Sequence, residues 1–316
     1  MHRIPVTIVH YGRFDPRRKT GGVETFARNL QSVFAHVEFL TTESTDAERR
    51  SVMERNLPVV CDNQLVLDWP DTYPVIGFQH GVALRKVMLT HTWTDARLAW
   101  RQMRASRRPN TTWVACAHWI SREFGRLFGN SAQHVVYHQV DVERFDGDRS
   151  LAEPRLILHD GRSPHKGKHL FERLVTQFPD WRFESLSCPP DQVPQRMKQG
   201  TAFMHLSRYE GNSIVCNEAM AMNLPCLFTD VGLMRDGQPL DVKIIPAADA
   251  FRHPDRLQAH VAAFLASLEQ RVWEPRKWTM EHATPAAHRR AWSEVMRDMK
   301  KRHPQLAIPQ TLPEVP

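Results

Sequence analysis

Between Ala202 and Val231 the chain runs through a short apolar stretch, a polar turn, a longer apolar stretch and a second short one, a succession that few folds accommodate. Ala202 to Leu206 has the length of a strand, and Ser207 to Ser213 is a polar turn holding Glu210, Gly211 and Asn212. Ile214 to Met222 reads as a helix starting beside Asn212 or Ser213, both good N-caps. Asn223-Leu224-Pro225 stops it, and Cys226 to Thr229 reads as the next buried strand. Strand, turn, helix and strand in that order form the building block of a parallel α/β sheet.

Two glutamates separated by seven residues, Glu210 and Glu218, sit inside this unit. The pattern puts Glu210 in the loop at the carboxyl end of a strand and Glu218 within the following helix. Free N–H groups of the first helical turn, around Gly211, Asn212, Ser213 and Ile214, suit an anionic ligand such as a diphosphate. Carboxylates repel phosphate but accept well from sugar hydroxyls, so the combination favours a ligand carrying both. The plain alternative is a pair of solvated glutamates near a helix start. Tyr209-Glu210-Gly211, Glu218-Ala219-Met220-Ala221, Leu224-Pro225 and Thr229-Asp230 together resemble the E-x7-E signature of family-four retaining glycosyltransferases (glycosyl transferases group 1), which have the GT-B fold.

The rest of the chain extends that resemblance. Val6 to His10 reads as a first strand, the loop Tyr11 to Thr20 is rich in Arg and Lys, and Gly21-Gly22-Val23-Glu24 leads into an amphipathic helix carrying Phe26, Leu30 and Val33. This resembles the opening β-α unit of the family, whose glycine loop lies near sugar and acceptor; a Gly-Gly pair permits close backbone approach, although most such pairs are plain turns. Val37 to Leu40, Val59-Val60 and Tyr73 to Phe78 read as further strands, the last ending at Gln79-His80-Gly81. In the resembled family a histidine at such a strand end faces the donor sugar, which singles out His80; a lone histidine is otherwise structural. Trp113 to Cys116 is a strand and Ala117 to Phe124 the helix after it, and Val135 to Phe145 resembles the segment that closes the N-terminal domain, with His138 and Gln139 where proline, asparagine and glycine are usual.

Asp146 to Pro154 is polar and turn-rich and reads as the domain boundary. Leu156 to His159 opens the second domain, and Asp160-Gly161-Arg162-Ser163-Pro164-His165-Lys166-Gly167 resembles the family's G-R-x-x-x-x-K-G loop shortened by one residue, with Arg162 and Lys166 as the diphosphate clamp and Lys168 as a substitute. Trp181 to Leu186 is the next strand, leading into Ser187 to Pro194, where the family's nucleotide base packs. Val242 to Ile245 is a strand, Asp255 to Gln270 a helix, Trp273 to Thr284 a connector and Pro285 to Lys301 a last amphipathic helix. Asp146-Gly147-Asp148 matches a D-x-D metal motif by letter only, because no strand adjoins it.

Composition limits the partners. A chain of 316 residues has length for two cores, and 41% apolar with 24% charged residues is globular. Five cysteines, Cys61, Cys116, Cys188, Cys216 and Cys226, form no C-x-x-C pair, so neither a disulfide framework nor a zinc site is indicated. No apolar run reaches bilayer length and Met1 to Val6 lacks a signal-peptide stretch, so a cytoplasmic location is expected, with peripheral contact at the inner face of the membrane. Lys+Arg of 42 against Asp+Glu of 35 gives +7 and a pI near 9.4, which supports an anionic partner without choosing one. Arg97, Arg101, Arg104 and Arg108 recur every three or four residues and would share one helix face, with Trp93, Trp100 and Met103 between them. A solvated charged face is the ordinary explanation; an acceptor's phosphates, a phospholipid surface or nucleic acid are the others.

The expectation is therefore an α/β chain of GT-B type, two Rossmann-like parallel-sheet domains facing across a cleft: an acceptor-side domain over 1–150, a nucleotide-sugar domain over 151–284, a crossing helix over 285–302 and a tail over 303–316 lacking regular structure. The resemblance implies metal-independent, retaining transfer from a UDP- or GDP-sugar, with no other cofactor, to a glycan or lipid-linked acceptor. In it Glu210 holds sugar hydroxyls, Glu218 the ribose, Arg162 and Lys166 the diphosphate, His80 lines the reaction centre, and Gly21-Gly22 let the reactants approach. Three rivals remain: the same fold acting on DNA bases, a phosphorylase-like enzyme needing a pyridoxal-phosphate lysine, and a non-catalytic binding protein.

Overall fold

The computed structural model describes residues 3–19 and 21–313. The start at Met1-His2, Thr20 of the expected glycine-loop approach and the last three residues of the expected tail lie outside the described residues. The chain divides into two compact units, Met1–Gln139 with Pro285–Pro316, and Val140–Thr284.

In the first unit β1 (Ile4–Gly12), β2 (Phe34–Thr41), β3 (Val59–Asp62), β4 (Val75–Gln79), β5 (Thr111–Ala115) and β6 (His134–Val135) form one sheet in the order β2-β1-β3-β4-β5-β6, every pair parallel. Buried runs such as Val59-Val60-Cys61 make these strands, because parallel sheets are covered on both faces. Helices α1 (Gly22–Val33), α2 (Asp46–Glu54), α3 (Ala83–Thr90), α4 (Trp93–Ser106) and α5 (His118–Phe128) connect them. In the second unit β7 (Leu156–His159), β8 (Arg182–Ser185), β9 (Ala202–His205), β10 (Cys226–Thr229) and β11 (Lys243–Ile245) are also all parallel, in the order β11-β10-β9-β7-β8. Its helices are α6 (Lys168–Gln177), α7 (Val193–Gln199), α8 (Ile214–Ala221), α9 (Ala247–Arg252), α10 (Pro254–Ser267) and α11 (Arg276–His282), and α12 (Pro285–Arg302) belongs to the first unit.

Each sheet has one point where successive connections leave in opposite directions: between β1 and β3, and between β7 and β9. Ligands of open α/β sheets bind outside the carboxyl ends of the strands at such points. The loops holding Gly21-Gly22 and Asn63 flank the first, and those holding Arg162 and Glu210 flank the second.

Packing explains three departures from the sequence-based boundaries. The units part at Gln139 and Val140, not within Asp146 to Pro154. Arg276 donates to the carbonyls of Val142, Phe145 and Ala221, and Arg149 to those of Asn223, Gly200 and Thr201, which ties residues 140–154 to the second unit. The connector Trp273 to Thr284 contains α11, seated by buried Trp278. The basic stretch Arg85 to Arg108 is two helices, because His91 takes a left-handed conformation (φ 52°) and Thr92 caps α4 by accepting from the Asp95 N–H at 3.3 Å.

Helix α12 is fixed in the first unit by Trp292, whose ring meets Phe34, Phe26 and Phe78. His288 beside it accepts from the Trp292 indole at 3.1 Å and lies 2.8 Å from the Tyr137 carbonyl, and burial pulls its pKa down to about 4. An imidazole that accepts through Nε2 and donates through Nδ1 is neutral, which burial favours. From His303 to Pro313 no helix or strand forms beyond turns, yet Leu306 and Ile308 are buried and the Ala307 N–H donates to the Asn56 carbonyl.

Candidate active site

Two loops of the second unit, with the end of β10, assemble the main cluster. The loop after β7 begins with Asp160, which is fully buried, and turns so that Arg162 Nε lies 2.6 Å from Asp160 Oδ1 and Lys166 Nζ 2.5 Å from Oδ2. Gly167 makes the turn possible. Its φ is +75°, and a Cβ there would lie 2.6 Å from the Leu206 carbonyl oxygen. Gly161 is constrained too, since a Cβ would meet the Phe171 ring at 2.3 Å.

The turn after β9 brings Glu210 to this cluster. Thr229 of β10 fixes that turn by accepting from the Ser207 N–H and donating to the Ser207 carbonyl. Glu210 Oε1 is then 3.5 Å from Lys166 Nζ and 3.1 Å from His205 Nε2. Burial alone would raise the Glu210 pKa, but the His205 hydrogen bond and the Lys166 charge outweigh it and bring it to about 2. For Lys166 burial opposes the charge, and Glu210 and Asp160 more than restore it, so its pKa is raised. Glu210 and Lys166 are thus charged at neutral pH, and Arg162, paired with Asp160, keeps more than half of its side chain exposed. Lys168 points elsewhere and sits 3.9 Å from Glu172, so the shortened loop still presents Lys166.

Helix α8 starts directly after this turn. Gly211 and Asn212 complete the turn, Ser213 is the N-cap but makes no side-chain capping hydrogen bond, and the Asn212 side chain is engaged by Asn217 at 3.0 Å. The first-turn N–H groups from Ile214 onward therefore remain for a ligand. Glu218, one turn further on, is packed about by protein while part of its surface stays open. Burial raises its pKa to about 8, against the pull of Arg144 and with the push of Asp160.

The first unit holds a second cluster. His80 directly follows β4, donates its own N–H to Asn63 Oδ1 at 3.0 Å, and places Nε2 2.9 Å from Asp62 Oδ1. The same oxygen lies 3.2 Å from His10 Nε2. Burial would raise the Asp62 pKa; the two imidazoles overcome this and hold it well below the usual carboxylate range. His10 and Asp62, with Glu24, Arg13 and Asn63, line a cavity of about 230 Å³ beside the start of α1. Gly21 is the extended N-cap residue there without a side-chain cap, and a Cβ on Gly22 would meet nothing within 4 Å.

The four arginines do not behave alike. Helix α4 ends at Ser106, so Arg108 lies beyond the expected face; it is buried and donates to the carbonyls of Pro70, Tyr73 and Pro109. Arg108 is a structural residue in these contacts. Arg97, Arg101 and Arg104, joined by Arg107, line a surface concavity of about 590 Å³. Asp146 and Asp148 both pair with Lys198, which accounts for that D-x-D. Asp160, His205, Asp62 and His10 carry the clusters without having stood out in the sequence, and their one signal there is position at or just past a strand end.

Comparison with known proteins agrees with this architecture. Residues 185–237 match the family model described as Glycosyl transferases group 1. The GDP-mannose:cellobiosyl-diphosphopolyprenol alpha-mannosyltransferase of Xanthomonas campestris is 27% identical over 141 residues, 34% of this chain and 37% of that protein, so the matched part spans little more than a third of the relative's length. Sucrose-phosphate synthase from Thermosynechococcus elongatus superposes with a TM-score of 0.71 at 13% identity, covering 94% of this chain and 100% of the other. Anabaena HepE in complex with UDP gives 0.70 at 14% identity, covering 93% and 100%. The fold is GT-B, with two Rossmann-like parallel-sheet domains.

Proposed function

We propose that the chain is a retaining, metal-independent glycosyltransferase that moves a sugar from a nucleotide-diphosphate sugar, a UDP- or GDP-sugar, to a glycan or lipid-linked acceptor. The observation that carries this reading is that Lys166 lies between Asp160, which also holds Arg162, and Glu210, beside the open start of α8. The matched family model, the name of the Xanthomonas relative and the UDP in the HepE structure support the donor class. The relative's diphosphopolyprenol acceptor supports a lipid-linked one.

In this reading Lys166, Arg162 and the first-turn N–H groups of α8 stabilise the charge that gathers on the departing diphosphate, which gives the positive charge a bound metal would otherwise supply. Glu210, held ionised by its neighbours, accepts from sugar hydroxyls and fixes the ring. Glu218 accepts from the ribose hydroxyls of the nucleotide. His80 lines the reaction centre, its ring held by Asp62, and Gly21-Gly22 leave room for donor and acceptor. The acceptor hydroxyl attacks the anomeric carbon, the bond to the diphosphate oxygen breaks, and the acceptor proton leaves with the diphosphate. The arginine-lined surface of α4 serves the acceptor's anionic part; transfer to duplex DNA is the rival use of the same surface.

The test is release of nucleoside diphosphate from a panel of nucleotide sugars, with a lipid-diphosphate glycan or duplex DNA as acceptor. Glu210→Ala and Lys166→Ala are each expected to lower kcat about 100- to 1000-fold in a folded protein. Turnover near wild type in either variant removes that residue from its role, and transfer to DNA alone replaces the acceptor class.

A further inference from the structure

The exposed face of α4 alternates aromatic and cationic side chains. At 100° per residue, Trp93, Arg97, Trp100, Arg104 and Arg107 fall within an arc of about 80°, while Asp95, Ala99, Gln102 and Ala105 turn inward and are buried. Trp93 is 88% exposed and Trp100 51%. Among the described residues these are the two tryptophans with large exposure. Helix α3, packed against α4, adds Met88 at 59% and Leu89 at 41% next to the connecting turn. Four of the large exposed apolar side chains thus gather on one helical hairpin.

The hairpin's own charge is mostly cationic, and its Arg85 is paired with Glu123 of α5 at 2.6 Å. Residues 85–108 contain seven Lys and Arg against one acid, Asp95, which is buried and already holds Lys86, Thr90 and Thr92. Asp68 engages Arg101 at 3.2 Å, and the exposed Asp71 is the other acid at the concavity. Arg104 lies over the Trp100 ring at 5.0 Å, while Arg97 and Arg107 project from the same exposed stripe.

We infer that the α3–α4 hairpin is a docking surface for an anionic phospholipid bilayer. Tryptophan and leucine or methionine side chains settle at the headgroup boundary, and arginines between them pair with lipid phosphates, the pattern of helices that lie in the interface. Duplex DNA supplies phosphates too, but offers nothing apolar to cover Met88, Leu89 and Trp93. A membrane covers both components at once. No helix among the described residues is long and apolar enough to cross a membrane, so this contact is one of lying on the surface. The inference goes beyond the proposed transfer reaction and does not depend on it.

Full-length protein, without donor, is sedimented with vesicles of phosphatidylcholine alone and of phosphatidylcholine containing a quarter phosphatidylglycerol, with the tail-brominated lipid used in parallel to quench tryptophan fluorescence. Binding is expected to the anionic vesicles, to weaken with salt, and to fall about fivefold for each of Arg97→Gln and Arg104→Gln. Trp93→Ala is expected to lower vesicle partitioning about tenfold and to remove part of the bromine quenching. These residues are at the surface, so an unchanged circular-dichroism melt accompanies each variant. The inference is overturned by no preference for anionic vesicles, by wild-type partitioning of Trp93→Ala, by tighter binding to a DNA duplex than to vesicles, or by a wild-type dimer in solution that Trp93→Ala abolishes.

Discussion

Glu218→Gln separates the energetic consequence of burial from the donor role. The raised pKa means that the folded chain keeps a proton the unfolded chain has released. The stability this confers is complete below the unfolded value of 4.5 and is lost as pH rises through about 8. A rise from 4.5 to about 8, at about 1.4 kcal/mol per tenfold in proton affinity, corresponds to about 5 kcal/mol over the full range. Between pH 7 and 9 the loss is roughly 1 to 2 kcal/mol. This is the clean window: burial holds the folded pKa of His159 and of His288 at about 4, and free imidazole has largely released its proton above pH 7. Buried thiols such as Cys61 and Cys226, whose pKa burial raises, also lower stability toward alkaline pH, but they do so equally in both proteins and cancel in the comparison. Urea unfolding of wild type and Glu218→Gln at several pH values, followed by circular dichroism, therefore shows the variant gaining roughly 1 to 2 kcal/mol on wild type from pH 7 to 9. A difference that stays constant within about 0.3 kcal/mol refutes the buried, protonated carboxyl. Loss of the ionised acceptor should also weaken donor binding about tenfold or more above pH 8; wild-type affinity there would remove Glu218 from the ribose.

Other expectations are more local. Gly167→Ala forces a side chain into the left-handed region and against the Leu206 carbonyl, so thermal melts should show a loss of at least about 1 to 2 kcal/mol, with transfer impaired because Lys166 is displaced; an unchanged melt contradicts the geometry. Asp62→Asn removes the charged partner of His10 and His80 and should cost about 1.5 to 3 kcal/mol in urea unfolding at pH 7, together with most of the turnover. Because the Asp62 pKa is depressed, its stabilisation is present above the ordinary carboxylate value and fades as pH falls, so wild type and variant should converge in acid; a gap that widens in acid refutes this. Arg276→Met leaves the carbonyls of Val142, Phe145 and Ala221 unpaired, and proteolysis should then cut between residues 140 and 154 in the variant but not in wild type.

Local pattern made much of this molecule readable. Strands such as β3, β9 and β10 are short buried apolar runs that end at a polar turn, and the stretch from Ala202 to Thr229 folds as β9, turn, α8 and β10, as its residues dictate. Glu210 could be placed because its loop directly follows such a run. What stayed hidden is the choice of partners across the fold. Nothing local in Asp160 says that it collects both Arg162 and Lys166, and Asp62 meets His10 from 52 residues away. Periodicity put Arg108 on a helix face, but the left-handed turn at His91 and the end of α4 at Ser106 depend on capping and on carbonyls at Pro70 and Tyr73 that wait to be filled. The unit boundary at Gln139 likewise depends on where Arg149 and Arg276 find acceptors.

The central claim is that the second unit holds a pocket for an activated sugar around Lys166 and Glu210. The direct measurement is the melting temperature of the full chain against UDP-, GDP-, ADP- and CMP-sugars, since a ligand bound to the folded state raises it by mass action. The account predicts that a UDP- or GDP-sugar raises it in a concentration-dependent way and that Lys166→Ala and Glu210→Ala remove the shift while still folding. No shift with any nucleotide sugar at saturating concentration, or a shift that both variants retain in full, contradicts it.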